Sequence, residues 1–226
     1  RSPSRGLGDV YKRQISELVT NSSITNVTTL DDAKKVVSLA LFGNTTNKDD
    51  LTGTDPIATE NTNLFVAFQK IASDLKTITN TQRNTTISDG DVVKVSITSI
   101  AKNMASKTNI INETTTFIID GQNTLKESID IVKLENTNAS FDATVVTNVS
   151  KISGAIYTNQ TANLSGNFIQ DATITVQKQT EFEDYLQQEE AKPSGTNQLE
   201  NTTININTVT TTIENNSTSQ TIIVIN

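Results

Sequence analysis

With 226 residues, 24.5 kDa and a hydrophobic fraction of 34%, the chain can bury one sizeable core or two small ones, and a thin core for its length. A net charge of -7 and a pI near 4.7 argue against nucleic acid or an anionic membrane surface as partner, since both require a basic face. With neither His nor Cys, the commonest general base, the usual zinc ligands, disulfides and the Ser/His/Asp and Cys/His nucleophile pairs are all unavailable. About one residue in six is Thr and one in nine Asn, Trp is absent, and no apolar run approaches the 18 or so residues of a membrane span.

Residues 1–14, RSPSRGLGDVYKRQ, hold four basic side chains in a chain otherwise acidic and rich in Asn and Thr. The string resembles a translated sequencing linker, which implies that the natural N-terminus is missing, and it is set aside from fold reasoning. Ile15, Leu18 and Val19 suggest a short helix at about 14–21, followed by a loop.

A helix-length run then carries Leu30, Val36, Val37, Leu39, Ala40, Leu41 and Phe42. Thr28 or Thr29 is the expected N-cap, Asp31 and Asp32 favour the first turn, and Gly43 suits a left-handed C-terminal stop. A polar, acidic loop reaches Asp55 and Pro56. Beyond it Leu64, Phe68, Ile71, Leu75 and Ile78 recur at spacings of four and three, which puts them on one face of a second helix.

Ser88 and Asp89 supply the next N-cap, with Asp91 in an Asp variant of the capping box. The helix so opened would bury Val93, Ile97, Ile100 and Met104. Its β-branched residues make a strand over 92–97 the competitor, but the 3.6 period continuing to Met104 decides for helix. Ile111, Ile118, Leu125, Ile129 and Val132 suggest another helix, with a turn as the alternative near Asp120 and Gly121. Phe141, Val145, Val149, Ile152 and Ile156 form the cleanest amphipathic series, and Phe168, Ala172, Val176, Phe182 and Leu186 the last. Glu181 to Glu190 suits a solvated face. Pro193, Ser194 and Gly195 break the pattern.

After that break, alternation around Ile204 and Ile206 and the β-branched run Thr221 to Ile225 read as two strands, with Asn215, Asn216 and Ser217 as their turn. The expected fold is therefore mainly α, an elongated antiparallel multi-helix bundle over residues 15–192 with a small β element, the start of a β domain or a hairpin, over 193–226. Ile and Val should fill its seams, and Thr, Ser and Asn its outside.

Little here points to chemistry. No phosphate-cradling GxxxxGKS/T or GxGxxG occurs, and the acids fall in loops and on polar helix faces, so a two-carboxylate hydrolase ranks below a solvated surface. Asp49, Asp50 and Asp55, with Asn47 and backbone carbonyls, could supply hard oxygens to calcium, although their spacing does not match a DxDxDG loop. The bland reading is that they cap the next helix and keep the loop wet. Asp89 and Asp91 are accounted for by capping. About a dozen N-x-S/T sequons occur, roughly half of them expected from composition alone.

The stretch Leu41-Phe42-Gly43, then Asp49, Asp50, Leu51, Asp55 and Pro56, then the helix from Phe65 to Ile78 resembles helical segments of very large, repeat-containing bacterial surface or secreted proteins, adhesin-like and common in marine metagenomes. The motif is short and covers about a fifth of the chain. The resemblance implies a non-enzymatic structural or interaction module, extracellular or at the cell surface, serving adhesion or spacing. Its partners would be neighbouring domains of the same long chain; no cofactor is certain, calcium being the one candidate. A coiled-coil signalling or secretion protein is the alternative, and its heptads should persist through whole helices.

Overall fold

Thr29 opens the first long helix. Its hydroxyl accepts the Asp32 N–H and the Asp32 carboxylate accepts the Thr29 N–H in return, a capping box that satisfies donors every helix start leaves orphaned. This helix, α1, spans Leu30–Phe42 and stops at Gly43, whose N–H still reaches the Leu39 carbonyl while its φ of 69° turns the chain out of the helix. The computed structural model describes residues 16–19, 27–46, 56–82, 88–115, 121–201, 206–212 and 219–225. The helical turn at 16–19 sets Leu18 in the same core as α1.

After Pro56 the chain turns, Asn61 N–H returning to the Pro56 carbonyl, and Asn61 then caps α2, Thr62–Thr81, by accepting the Leu64 N–H. Ser88 caps α3, Asp89–Lys107, as its sequence anticipates, and the β-branched residues of α3 are helical. Its buried apolar positions are Val92, Ile97, Ile100, Ala101 and Met104, with Val93 only half-buried. A two-residue pairing of β1, Thr108–Asn109, with β2, Thr114–Thr115, follows. α4 is Gly121–Glu135, α5 Ala143–Ala162 and α6 Phe168–Glu190. A 3-10 turn at Gln198–Glu200 leads to an antiparallel hairpin of β3, Ile206–Thr212, and β4, Ser219–Ile225, in the register Ile206 opposite Ile225.

The helix expected through Ile111 is absent. Asn109 accepts the N–H groups of Ile111 and Asn112 and Glu113 takes a φ of 51°, so side-chain turn chemistry wins over apolar spacing and leaves Ile111 77% exposed. The turn alternative at Asp120 lies outside the described residues, and Gly121 begins the helix.

α2 is the axis of the bundle. Thirteen of its 20 residues are buried, and α3, α4, α5 and α6 all pack on it. Full burial of Leu64, Phe68, Ile71 and Ile78 stabilises by about 1.5–3 kcal/mol each. Lys102 pairs with Glu135 and Lys107 with Glu127, contacts that advance in opposite senses, so α3 and α4 are antiparallel. Phe65 meets Phe168 edge-on at 5.8 Å and Lys76 pairs with Glu183, contacts that advance together, so α2 and α6 are parallel. Helices joined by short connections alternate in direction, and five of them closing on one another must bring one like-directed pair together.

Ser and Thr are not confined to the outside. Ser96, Ser99, Ser128, Thr81 and Thr175 are buried, each donating its hydroxyl to the carbonyl four residues back in its own helix. A hydroxyl satisfied within its own helix costs little to bury. This is how a chain with a small hydrophobic share builds a continuous core. α6 likewise departs from its apolar reading: its inward face is Asp171, Thr175, Gln179, Phe182, Leu186 and Glu189, one step out of phase with Ala172 and Val176 over the first half, and Val176 is 45% exposed.

The segment after Pro193, expected to belong to the β element, stays with the helices as far as Asn201. Leu199 is fully buried, and Asn148 of α5, itself buried, donates both amide hydrogens to the carbonyls of Leu199 (2.9 Å) and Asn201 (2.8 Å). Glu189 is not on a solvated face: it is 4% exposed, accepts the Gln198 N–H at 2.8 Å and pairs with Lys192.

Candidate functional site

The central helix carries a second, polar stripe. Lys70, Asp74, Thr77 and Thr81 follow at spacings of four, three and four, and because α2 is surrounded they point into protein rather than solvent. Lys70 is 3% exposed and Asp74 1%. Charges this deep are tolerated only when paired and hydrogen-bonded, since removing each from water costs several kcal/mol, on the order of what their attraction returns.

The pairing is supplied within α2 and from α5. The Lys70 ammonium is bound to Asp74 Oδ1 on the next turn, and it donates to Ser153 Oγ at 2.7 Å. Ser153 Oγ in turn donates to Asp74 Oδ1 at 3.2 Å, closing a three-membered ring of polar groups. Desolvation pushes the Asp74 carboxyl above its ordinary range, against the pull of Lys70 and the hydrogen bond from Ser153. Asp74 Oδ2 is buried without a protein hydrogen-bond partner. Tyr157, one turn beyond Ser153, has its phenol pushed up to about 12, first by burial and then by the negative charge of Asp74.

Beside this ring a crevice runs between α2, α5 and α6, lined by Lys70, Ser153, Tyr157, Gln160, Gln179 and Phe182 among others, with room for about one water molecule. A serine beside a lysine is the arrangement of some hydrolytic dyads. Here the Ser153 proton is committed to Asp74, its lone pair takes the Lys70 ammonium, and no substrate carbonyl could enter a crevice of this size. The arrangement fixes helix against helix.

None of these residues stands out from spacing alone. The available signal is a Lys and an Asp four apart inside a helix with apolar residues on more than one face, Val66 and Ile71 among them. Such a helix is buried on most of its faces, and the charges that fall inside it must find each other. The expectation that acids fall only in loops and on polar faces is corrected by Asp74, Asp171 and Glu189, all under 5% exposed. Asp171 Oδ1 accepts both the N–H and the hydroxyl of Ser165 just before α6, while Asn167 caps that helix. The calcium candidates Asp49, Asp50 and Asp55 lie outside the described residues. Among the described residues no group of three or more potential metal ligands converges, and Asp91 accepts the Ser88 hydroxyl at 2.6 Å. No helix among them is long and apolar enough to cross a membrane.

Set against known protein families, curated proteins and solved structures, the chain matches none of them.

Proposed function

We propose that this chain is a non-enzymatic structural or interaction module of a large bacterial extracellular protein, serving adhesion or spacing at the cell surface. The observation that carries the reading is the burial of α2, with thirteen of its 20 residues packed and its only internal charges neutralised by each other. An architecture of that kind puts its polar groups into holding helices together, which suits a part that carries load or sets distance. The short likeness from Leu41 through Asp55 and Pro56 to Ile78 supports the surface setting, with neighbouring domains of the same chain as the partners.

The coiled-coil alternative is less favoured because a two-stranded seam buries about two positions per heptad, whereas α2 buries nearly two thirds of its length. Calcium held by Asp49, Asp50 and Asp55 would stiffen the connection between α1 and α2.

Sequencing the parent gene outward from native DNA tests the setting. A reading frame that continues into repeats with a secretion signal supports it, and a short gene closing on a transmembrane helix and a signalling domain overturns it. Thermal unfolding of the protein with and without calcium tests the loop. An unchanged midpoint removes calcium from the proposal.

A further inference from the structure

The hairpin of β3 and β4 follows a segment held firmly against the helices. Asn148 holds the carbonyls of Leu199 and Asn201, so the chain enters β3 from a clamped point on α5, and both strands pass close to that helix. Beyond the clamp, seven residues of β3 pair with seven of β4, and among the described residues the sheet has only these two strands. Among the described residues each strand therefore has one row of backbone donors and acceptors with no strand beside it.

Edge strands in proteins that stay apart are usually guarded by charge, proline or a bulge. These are not. β3 reads INTVTTT and β4 SQTIIVI, without a charged residue, Pro or Gly. From Asn201 to Asn226 the only charged residue is Glu214, in the connection, in a chain of net charge -7. Two copies carrying -7 each repel, and strands without a charged residue are a place where they can meet without opposing charge. The two edges differ. β4 holds four consecutive β-branched aliphatics, Ile222 to Ile225, the residues that favour strand pairing most, whereas β3 is largely Thr and Asn.

We propose that β4 is a self-association edge: two copies of the chain join β4 to β4, antiparallel about a two-fold axis, to form one four-stranded sheet with the Thr-rich β3 strands outermost. A two-stranded ribbon is marginal by itself and a four-stranded sheet is not, so pairing stabilises the hairpin as well as the dimer. An antiparallel pair of identical strands is isologous, so the assembly closes at two copies. Because the obstacle is like-charge repulsion between the two bodies, added salt strengthens the dimer, the reverse of an interface held by ion pairs.

Sedimentation of the full chain over a range of concentrations and salt tests this. The expected mass at high concentration is twice 24.5 kDa, with dissociation favoured at low salt. The absence of native cysteine allows the edge to be mapped by single substitutions. Under mild oxidation Ile222→Cys, at the middle of β4, should give a covalent dimer well before Val209→Cys at the middle of β3 does. Ile222→Lys should return the chain to a monomer with its helical circular dichroism unchanged. A monomer at every concentration and salt overturns the proposal, as does equal cross-linking from the two strands. Growth past the dimer into fibres overturns it too, because the assembly would then be open-ended.

Discussion

Ser153 on α5 stands 2.7 Å from the ammonium of Lys70 on α2, across a separation of 83 residues, and it returns its own proton to the Asp74 carboxylate that Lys70 neutralises. One hydroxyl thus serves both charges, and the geometry ties two helices that are distant in sequence. The alignment of α5 on the central helix is set by a polar contact rather than by apolar packing alone.

Removing either charge strands the other. Lys70→Met or Asp74→Leu should each cost about 3–5 kcal/mol, while the double substitution should cost no more than about 1 kcal/mol or even stabilise. Urea unfolding of the four proteins measures the coupling. Additive losses would show that the two side chains do not act as a pair.

Asn148 supports the C-terminal clasp in a comparable way. Asn148→Ala leaves the Leu199 and Asn201 carbonyls without their donors and opens a small cavity, for an expected loss of about 2–4 kcal/mol. Limited proteolysis should then cut first between Pro193 and Asn201. Cleavage at the same rate and sites as the parent chain would mean that the clasp is not what holds this segment.

The phenols give the pH response a sign. Tyr157 and Tyr185 are both pushed up from 10.0 to about 12, by burial first and then by Asp74 and Glu189 respectively. The folded chain keeps these protons where the unfolded chain has lost them. Their contribution is therefore complete below pH 10 and is lost as pH rises through about 12. Tyrosinate absorbance should show these two groups titrating late, and Asp74→Asn should bring Tyr157 down by removing the charge beside it. Titration of all tyrosines together near the ordinary value would contradict the partly buried positions of these two.

At the other end, Thr29→Ala should cost about 1 kcal/mol by breaking the capping box of α1. Partial desolvation would raise the Asp32 carboxyl, but hydrogen bonds from Thr28 and Thr29 outweigh it and hold the group below its ordinary 3.8. Its contribution is thus present above the unfolded value and disappears as pH falls through the lowered one. Denaturation midpoints compared at neutral and acid pH should show the Thr29→Ala penalty shrinking in acid.

Much of the helical architecture is legible in the amino-acid sequence. The Thr29 cap, the left-handed stop at Gly43, the Ser88 cap and the buried series Leu64 to Ile78 each follow from a local rule, because one residue type satisfies one backbone need. The hairpin strands are legible from alternation and β-branching. What escapes depends on neighbours distant in the chain. Nothing near Lys70 announces Ser153, and nothing near Asn148 announces Leu199. The inward turn of Asp171 and Thr175 contradicts hydropathy because partners close in the chain satisfy them: Ser165 donates to the Asp171 carboxylate and the Thr175 hydroxyl to the Asp171 carbonyl. Ile111 fails in the opposite direction, where a local Asn109 turn overrides an apolar spacing that suggests a helix.

The parallel pairing of α2 with α6 carries a cost during synthesis. Lys76 and Glu183 are separated by 107 residues, so the side of α2 that α6 covers stays open until the last helix has left the ribosome. At about 5–20 residues per second that interval is several seconds, long enough for an exposed face holding Phe65 and Phe68 to meet another nascent chain. The Lys70 and Asp74 pair sits on that same helix. Both charges favour water until the bundle closes around them and Ser153 completes their pairing.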